Sequence, residues 1–92
     1  MILEVVSPEA TLFSGAVNSV AVPGANGAFQ VLDNHAPIVS ILNPGTVKIG
    51  GKISLPEDTS HYFKQQGEET FLELPNGGIL EMQQNKIVLL ED

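Results

Sequence analysis

The chain has 92 residues, 42% hydrophobic and 16% charged, with no cysteine. That is the composition of one small globular domain, able to bury roughly 60–65% of its unfolded surface, and it excludes disulfides, thiol chemistry and cysteine-based zinc sites. Eleven Asp and Glu oppose four Lys, a net charge of −7; this argues against nucleic acid and anionic lipid, which are held by Lys and Arg clusters, and favours a partner with a neutral or basic surface.

The opening MILEVV carries Glu4 and no basic stretch, so it does not read as a secretory signal. No apolar run is long enough to span a membrane, and the lack of cysteine fits a reducing compartment. In chain order, residues 2–6 read as a strand and Pro8 breaks it. Residues 11–13 read as a second short strand, and Ser14-Gly15 as a turn. Residues 16–22 alternate, with Val20 and Val22 on one face and Asn18 in register with them. Pro23-Gly24 stops that strand, and Asn26-Gly27 predicts a type I′ hairpin turn into residues 28–32, where Phe29 and Val31 share a face.

Pro37 opens an apolar run over 38–42, and Asn43-Pro44-Gly45 turns the chain into residues 46–52, with Val47 and Ile49 on one side. Residues 55–61 read as an exposed polar loop. The wider stretch 50–69 is polar and glycine-flanked and reads as an inserted, mobile hairpin. Residues 62–64 and 70–74 read as strands, and Asn76-Gly77-Gly78 as another hairpin signal. Residues 79–82 and 86–90 pair naturally across Gln83-Gln84-Asn85. No segment holds a helical period over a dozen residues. The expectation is an all-β single domain over 1–92, a flattened β-sandwich or barrel of about nine to ten short, mainly antiparallel strands.

The residues offer little catalytic chemistry. Asp33 and His35 with Ser14 or Ser40 supply the three residue types of a hydrolase triad, but no GxSxG elbow accompanies them. A loop histidine ordering the approach to Pro37 is the preferred reading. His61 lies near Glu57 and Asp58 without the ligand spacing of HExxH or a calcium loop, so no metal site is assigned. Glu57-Asp58, Glu68-Glu69 and Glu91-Asp92 are adjacent pairs, which point to opposite faces of a strand and read as a solvated acidic surface. Gly24 and Gly27 lack the lysine and the helix of a phosphate loop. What remains is an acidic all-β domain that acts by surface contact, without cofactor or small-molecule substrate.

The stretch PGANGAFQVLDNHAP, residues 23–37, resembles the motif P-G-x-x-G-x-[FL]-x-[VI]-L-x-x-H-A-P of the ε subunit of F-type ATP synthases, in its N-terminal β-sandwich domain. Pro23, Gly24, Gly27, Phe29, Val31, Leu32, His35, Ala36 and Pro37 match it. Val6-Ser7-Pro8 with Phe13-Ser14-Gly15 is similar to the family's opening. Leu42-Asn43-Pro44-Gly45 and Asn76-Gly77-Gly78-Ile79-Leu80-Glu81 are similar to two later motifs, in the same order. Three departures stand out: Asp33-Asn34 replaces the more usual Pro-Gly, Ala28 stands where a Glu is common, and the α-helical hairpin that usually follows the sandwich is absent from the sequence.

The resemblance implies a non-catalytic rotor subunit that holds the γ subunit against the membrane c-ring, as a peripheral protein on the cytoplasmic face, most readily of a bacterial inner membrane. Ser7, His35, Ser40 and Asn76 match positions that face γ. Ala25, Asn26, Gly27 and Ala28 match the hairpin that faces the c-ring. Without the helices, the chain is expected to couple but not to inhibit ATP hydrolysis. The alternative is a small acidic β-sandwich serving as a ligand-binding or adaptor module, whose sites usually present exposed aromatics. This chain has one Tyr and four Phe, the latter expected mostly on core faces.

Overall fold

Alternation of apolar and polar residues drives the chain into two stacked sheets, because period-two side chains place one face of each strand in the core. The computed structural model describes residues 1–92. Its strands are β1 (Ile2–Val6), β2 (Thr11–Ala16), β3 (Ser19–Val22), β4 (Phe29–Leu32), β5 (Ile38–Leu42), β6 (Gly45–Gly50), β7 (Phe63–Gln66), β8 (Glu69–Leu74), β9 (Gly78–Gln83) and β10 (Lys86–Glu91). A single 3-10 turn, Ser60–Tyr62, precedes β7. No helix is long and apolar enough to cross a membrane.

Sheet A runs β2-β1-β10-β9-β5 and sheet B runs β4-β3-β6-β8-β7. All pairings are antiparallel except β1 with β10. Between the sheets lie 17 buried apolar side chains, with Leu3, Val20, Ile49, Leu74, Leu80, Ile87 and Leu89 fully out of water. In β9 the alternation is complete: Leu80 and Met82 point in, Ile79, Glu81 and Gln83 point out.

Several turns differ from the sequence expectation. Ser14-Gly15 does not turn the chain; it continues β2, pairing with Glu4 and Leu3. A bulge opposite Val5 and Val6 explains why Leu12 and Phe13 are both buried, since the extra residue resets which side each side chain takes. The chain instead reverses at Val17-Asn18, and Asn18 is exposed and outside β3. The β3–β4 pairing forms as expected, but not through a type I′ turn: Gly27 N–H closes on Gly24 C=O at 3.0 Å, and of these residues Gly27 alone has a positive φ. The two-residue turn with both central residues at positive φ, the I′ pattern, is Gln84-Asn85 between β9 and β10.

Asn76-Gly77-Gly78 is not a hairpin either. β8 and β9 belong to different sheets, so this segment is the corner where the chain crosses between them. The polar stretch before β7 is tied down at Thr59, which is buried and donates its hydroxyl to Leu12 C=O at 2.7 Å. Ile53 and Leu55 pack against the core, and Phe63 meets Phe13 edge-on at 6.5 Å between ring centres, closing the side between β2 and β7. Phe71 departs from the core expectation: it lies on the outer face of sheet B, paired with Lys48 on β6 and Lys64 on β7.

Strand directions give the sandwich two ends. The upper end gathers the loops at 7–10, 23–28, 43–44 and 75–77, joined by hydrogen bonds from Asn43 N–H to Pro23 C=O and from Asp92 N–H to Gly77 C=O. The lower end gathers Met1 and the loops at 17–18, 33–37, 67–68 and 84–85. Gly77 makes the upper corner possible. Its φ is +73°, and a Cβ there would collide with the Leu42 carbonyl oxygen. Gly77→Ala is therefore expected to cost at least about 2 kcal/mol in urea unfolding; an unchanged midpoint would show that the corner relaxes freely.

Candidate functional site

The outer face of sheet A is where the alternation fails. In register across four strands lie Val6, Leu90, Ile79 and Ile41. Beside this row, the next rung runs Glu4, Val88, Glu81 and Val39. Ile41 is 67% and Val39 69% exposed. β-branched and aliphatic side chains grouped this way form a contiguous apolar plateau, the kind of surface that marks a protein contact. Each such side chain gains about 1.5–3 kcal/mol on full burial, so a partner covering several of them gains a large driving force. No charged residue occurs on β5 itself, so the strand offers a partner no side-chain charge to repel or desolvate.

Of the residues expected to face γ, Ser7 and Asn76 lie at the upper edge of this plateau, Ser40 is turned to the other face of sheet A in register with buried Leu80, and His35 lies at the lower end; they do not meet one another. Ser7 caps the upper end of β1, where its hydroxyl accepts from Ala10 N–H at 3.2 Å and closes the 7–10 turn. Asn76 is exposed at the upper corner. Ser40 is half-buried on β5 between Val39 and Ile41, its hydroxyl donating to Ile41 C=O at 3.3 Å. His35 lies at the lower end, a strand length of about 17 Å from the upper loops.

Ala25, Asn26, Gly27 and Ala28 are all exposed and form the projecting tip of the upper end. Two bonds lock the base of this tip onto sheet A: Ala25 N–H to Ile41 C=O and Asn43 N–H to Pro23 C=O, each 2.8 Å. Gly24 has to be glycine, because a Cβ would sit 2.6 Å from Gly27 C=O and 2.7 Å from the Phe29 ring. A groove lined by Asn26, Ala28, Phe29, Val39 and Ser40 runs between the tip and β5. Tip and plateau are thus adjoining surfaces.

Asp33 and His35 do not form a catalytic relay. The Asp33 carboxylate takes the Met1 ammonium at 2.9 Å, and His35 Nδ1 lies 2.7 Å from Ala36 C=O. The ammonium hydrogen bond, then that of the Asn85 amide, hold the Asp33 carboxyl below its ordinary range. Asn34 N–H donates to Asn85 Oδ1 at 2.8 Å. His61 stacks on Tyr62 with ring centres 4.3 Å apart, and no group of three or more potential ligands gathers around it or elsewhere. At the upper end, burial pushes the Glu91 carboxyl up.

The plateau was not among the expected site residues. Its signal was present in the run PIVSIL, where Val39 and Ile41 stand where a half-exposed strand would carry polar residues. Only the register shows that Ile79 and Leu90 continue the same row.

Fold and surface together define a β-sandwich with an apolar face along one sheet and a small-residue tip at one end. Residues 1–92 match the family described as ATP synthase, Delta/Epsilon chain, beta-sandwich domain. The chain belongs to that family. It is 37% identical over 90 residues to the ATP synthase epsilon chain of Chlorobaculum tepidum, covering 98% of this chain and 86% of that one. Its fold is similar, with a TM-score of 0.68 at 12% identity, to a chain in the cryo-EM structure of the Tetrahymena thermophila mitochondrial ATP synthase central stalk and c-ring; the match covers 98% of this chain and spans 61% of that one.

The lowered Asp33 carboxyl carries a sign. A depressed folded-state value stabilises the fold at pH above the unfolded value, about 3.9, and the contribution is lost as pH falls through the lower folded value. The stability gap between the native chain and Asp33→Asn should therefore hold steady from neutral pH down to about pH 4 and close below it. Urea midpoints from pH 3 to pH 7 measure this, and a gap independent of pH would contradict the ion pair.

Proposed function

We propose that the chain is the β-sandwich of a rotor coupling subunit. In this reading the γ subunit packs on the outer face of sheet A, and the tip Ala25, Asn26, Gly27 and Ala28 meets the c-ring. The carrying observation is the apolar row Val6–Leu90–Ile79–Ile41, which a monomer would leave in water. Ser7 and Asn76 stand at the upper margin of that row, where polar groups rim an apolar contact; Ser40 lies on the other face of β5, toward the groove beneath the tip, and His35 at the opposite end of the sandwich.

Torque transmission needs a body that does not deform between its two contacts. A sandwich with a close-packed core meets that need, since packed interiors yield little under load. The tip is anchored through Pro23 and Ala25 to β5, the strand that also carries Val39 and Ile41. Force applied at the tip is passed directly to the strand under γ. Small side chains at the tip let its backbone approach polar loops closely, and Ala28 leaves that contact without a carboxylate. The coupling unit sits at the membrane periphery, on the cytoplasmic face in a bacterium, and itself performs no chemistry.

Affinity for purified γ tests the docking face. Ile41→Lys and Ile79→Lys place a charge on exposed positions, so the fold should tolerate them. Each is expected to weaken γ binding at least tenfold, about 1.4 kcal/mol, while Gln30→Lys on the outer face of sheet B leaves it unchanged. Equal affinity for all three variants would remove sheet A as the docking face.

A further inference from the structure

We infer that Asn85 is a positioning residue for the docking loop: from the β9–β10 turn, its side chain holds Asp33-Asn34-His35 in the shape that the partner meets. The inference rests on the reading that this loop borders the γ surface.

The loop is a tight turn, closed by His35 N–H to Leu32 C=O at 3.1 Å. Asn34, its second central residue, has φ 60°, while Asp33 keeps a negative φ. That is the sign pattern of a type II turn, which proline followed by glycine adopts unaided. Asp33-Asn34 has neither advantage: Asp33 does not preset its φ, and Asn34 carries a Cβ into the left-handed region. The N–H of the second central residue also has no partner inside a β-turn. In this chain it has one outside, Asn85 Oδ1, 2.8 Å away and 51 residues later.

Asn85 is well placed to act as a clamp. Its backbone is fixed at φ 58° in the two-residue turn, and its carbonyl accepts from Ile2 N–H at 3.1 Å. Beside it, the Asp33 carboxylate holds the Met1 ammonium at 2.9 Å. Both central residues of the 32–35 turn are therefore gripped from outside it. A polar clamp takes the place that turn chemistry alone would fill with Pro-Gly.

Asn85→Gly tests this cleanly, because φ 58° suits glycine and the β9–β10 turn should survive. Three measurements follow on the full chain: amide exchange of Asn34 by NMR, affinity for γ, and both again after adding Asp33→Pro with Asn34→Gly. Loss of one hydrogen bond is expected to speed Asn34 exchange by about tenfold, with β9 and β10 amides unchanged, and to weaken γ binding by about three- to tenfold. The Pro-Gly pair should restore affinity in the Asn85→Gly background, which a merely structural loss would not allow. Unchanged Asn34 exchange would show that no clamp exists. Faster exchange with unchanged affinity, or no rescue, would show that the clamp does not position the docking loop. If the native chain fails to bind γ at all, the docking reading falls, while the exchange comparison still decides whether the clamp is real.

Discussion

Each sheet commits one face to the shared core, and that commitment decides what the other face can be. Of the 17 buried apolar residues, all but Val17 lie on the strands, where they fill the inward positions. A continuous apolar row on an outward face therefore has no use inside the monomer, and water penalises it. Sheet B meets this constraint with Thr46, Lys48, Glu69 and Glu73, and Lys48 bridges Glu69 at 3.4 Å. Sheet A does not: Val6, Leu90, Ile79 and Ile41 lie side by side. The two sheets differ in outward chemistry although they are alike in packing, and the proposed function follows from that difference.

The ends of the sandwich divide the remaining labour. The upper end carries the small-residue tip and is cross-tied through Pro23, Ala25, Leu42 and Asn43. The lower end carries the His35 loop, held by Met1, Asn85 and its own turn. In both cases an exposed loop is fixed by bonds to a strand or hairpin distant in sequence. Loops held this way can present a defined surface while remaining accessible, as contact loops on a rigid scaffold do.

Most strands were legible in the sequence because alternation and turn residues are local signals. What was not legible depended on long-range pairing. Asn76-Gly77 marks a bend correctly, but a bend signal does not say whether the next strand joins the same sheet or crosses to the other. Ser14-Gly15 has turn composition, yet pairing with β1 keeps it extended. Asn26-Gly27 is the strongest I′ signal in the chain, yet the I′ pattern falls at Gln84-Asn85, where the β9–β10 register leaves two residues to connect the strands. Of the candidate site, residues 23–37 gave the loop positions of His35 and of the 25–28 tip, on either side of β4. The plateau was not legible, because its members come from β1, β5, β9 and β10, and only the register places them in one row.

The most direct test of the docking face is the solvent exposure of its methyl groups in the assembled pair. Methyl NMR with a soluble paramagnetic agent can follow Val39, Ile41, Ile79 and Leu90 as γ is added. The account predicts that these methyls lose contact with solvent together, while Ala21 on the outer face of sheet B keeps it. Protection of Ala21, with Ile41 and Leu90 still open to solvent, would place γ on sheet B and contradict the account.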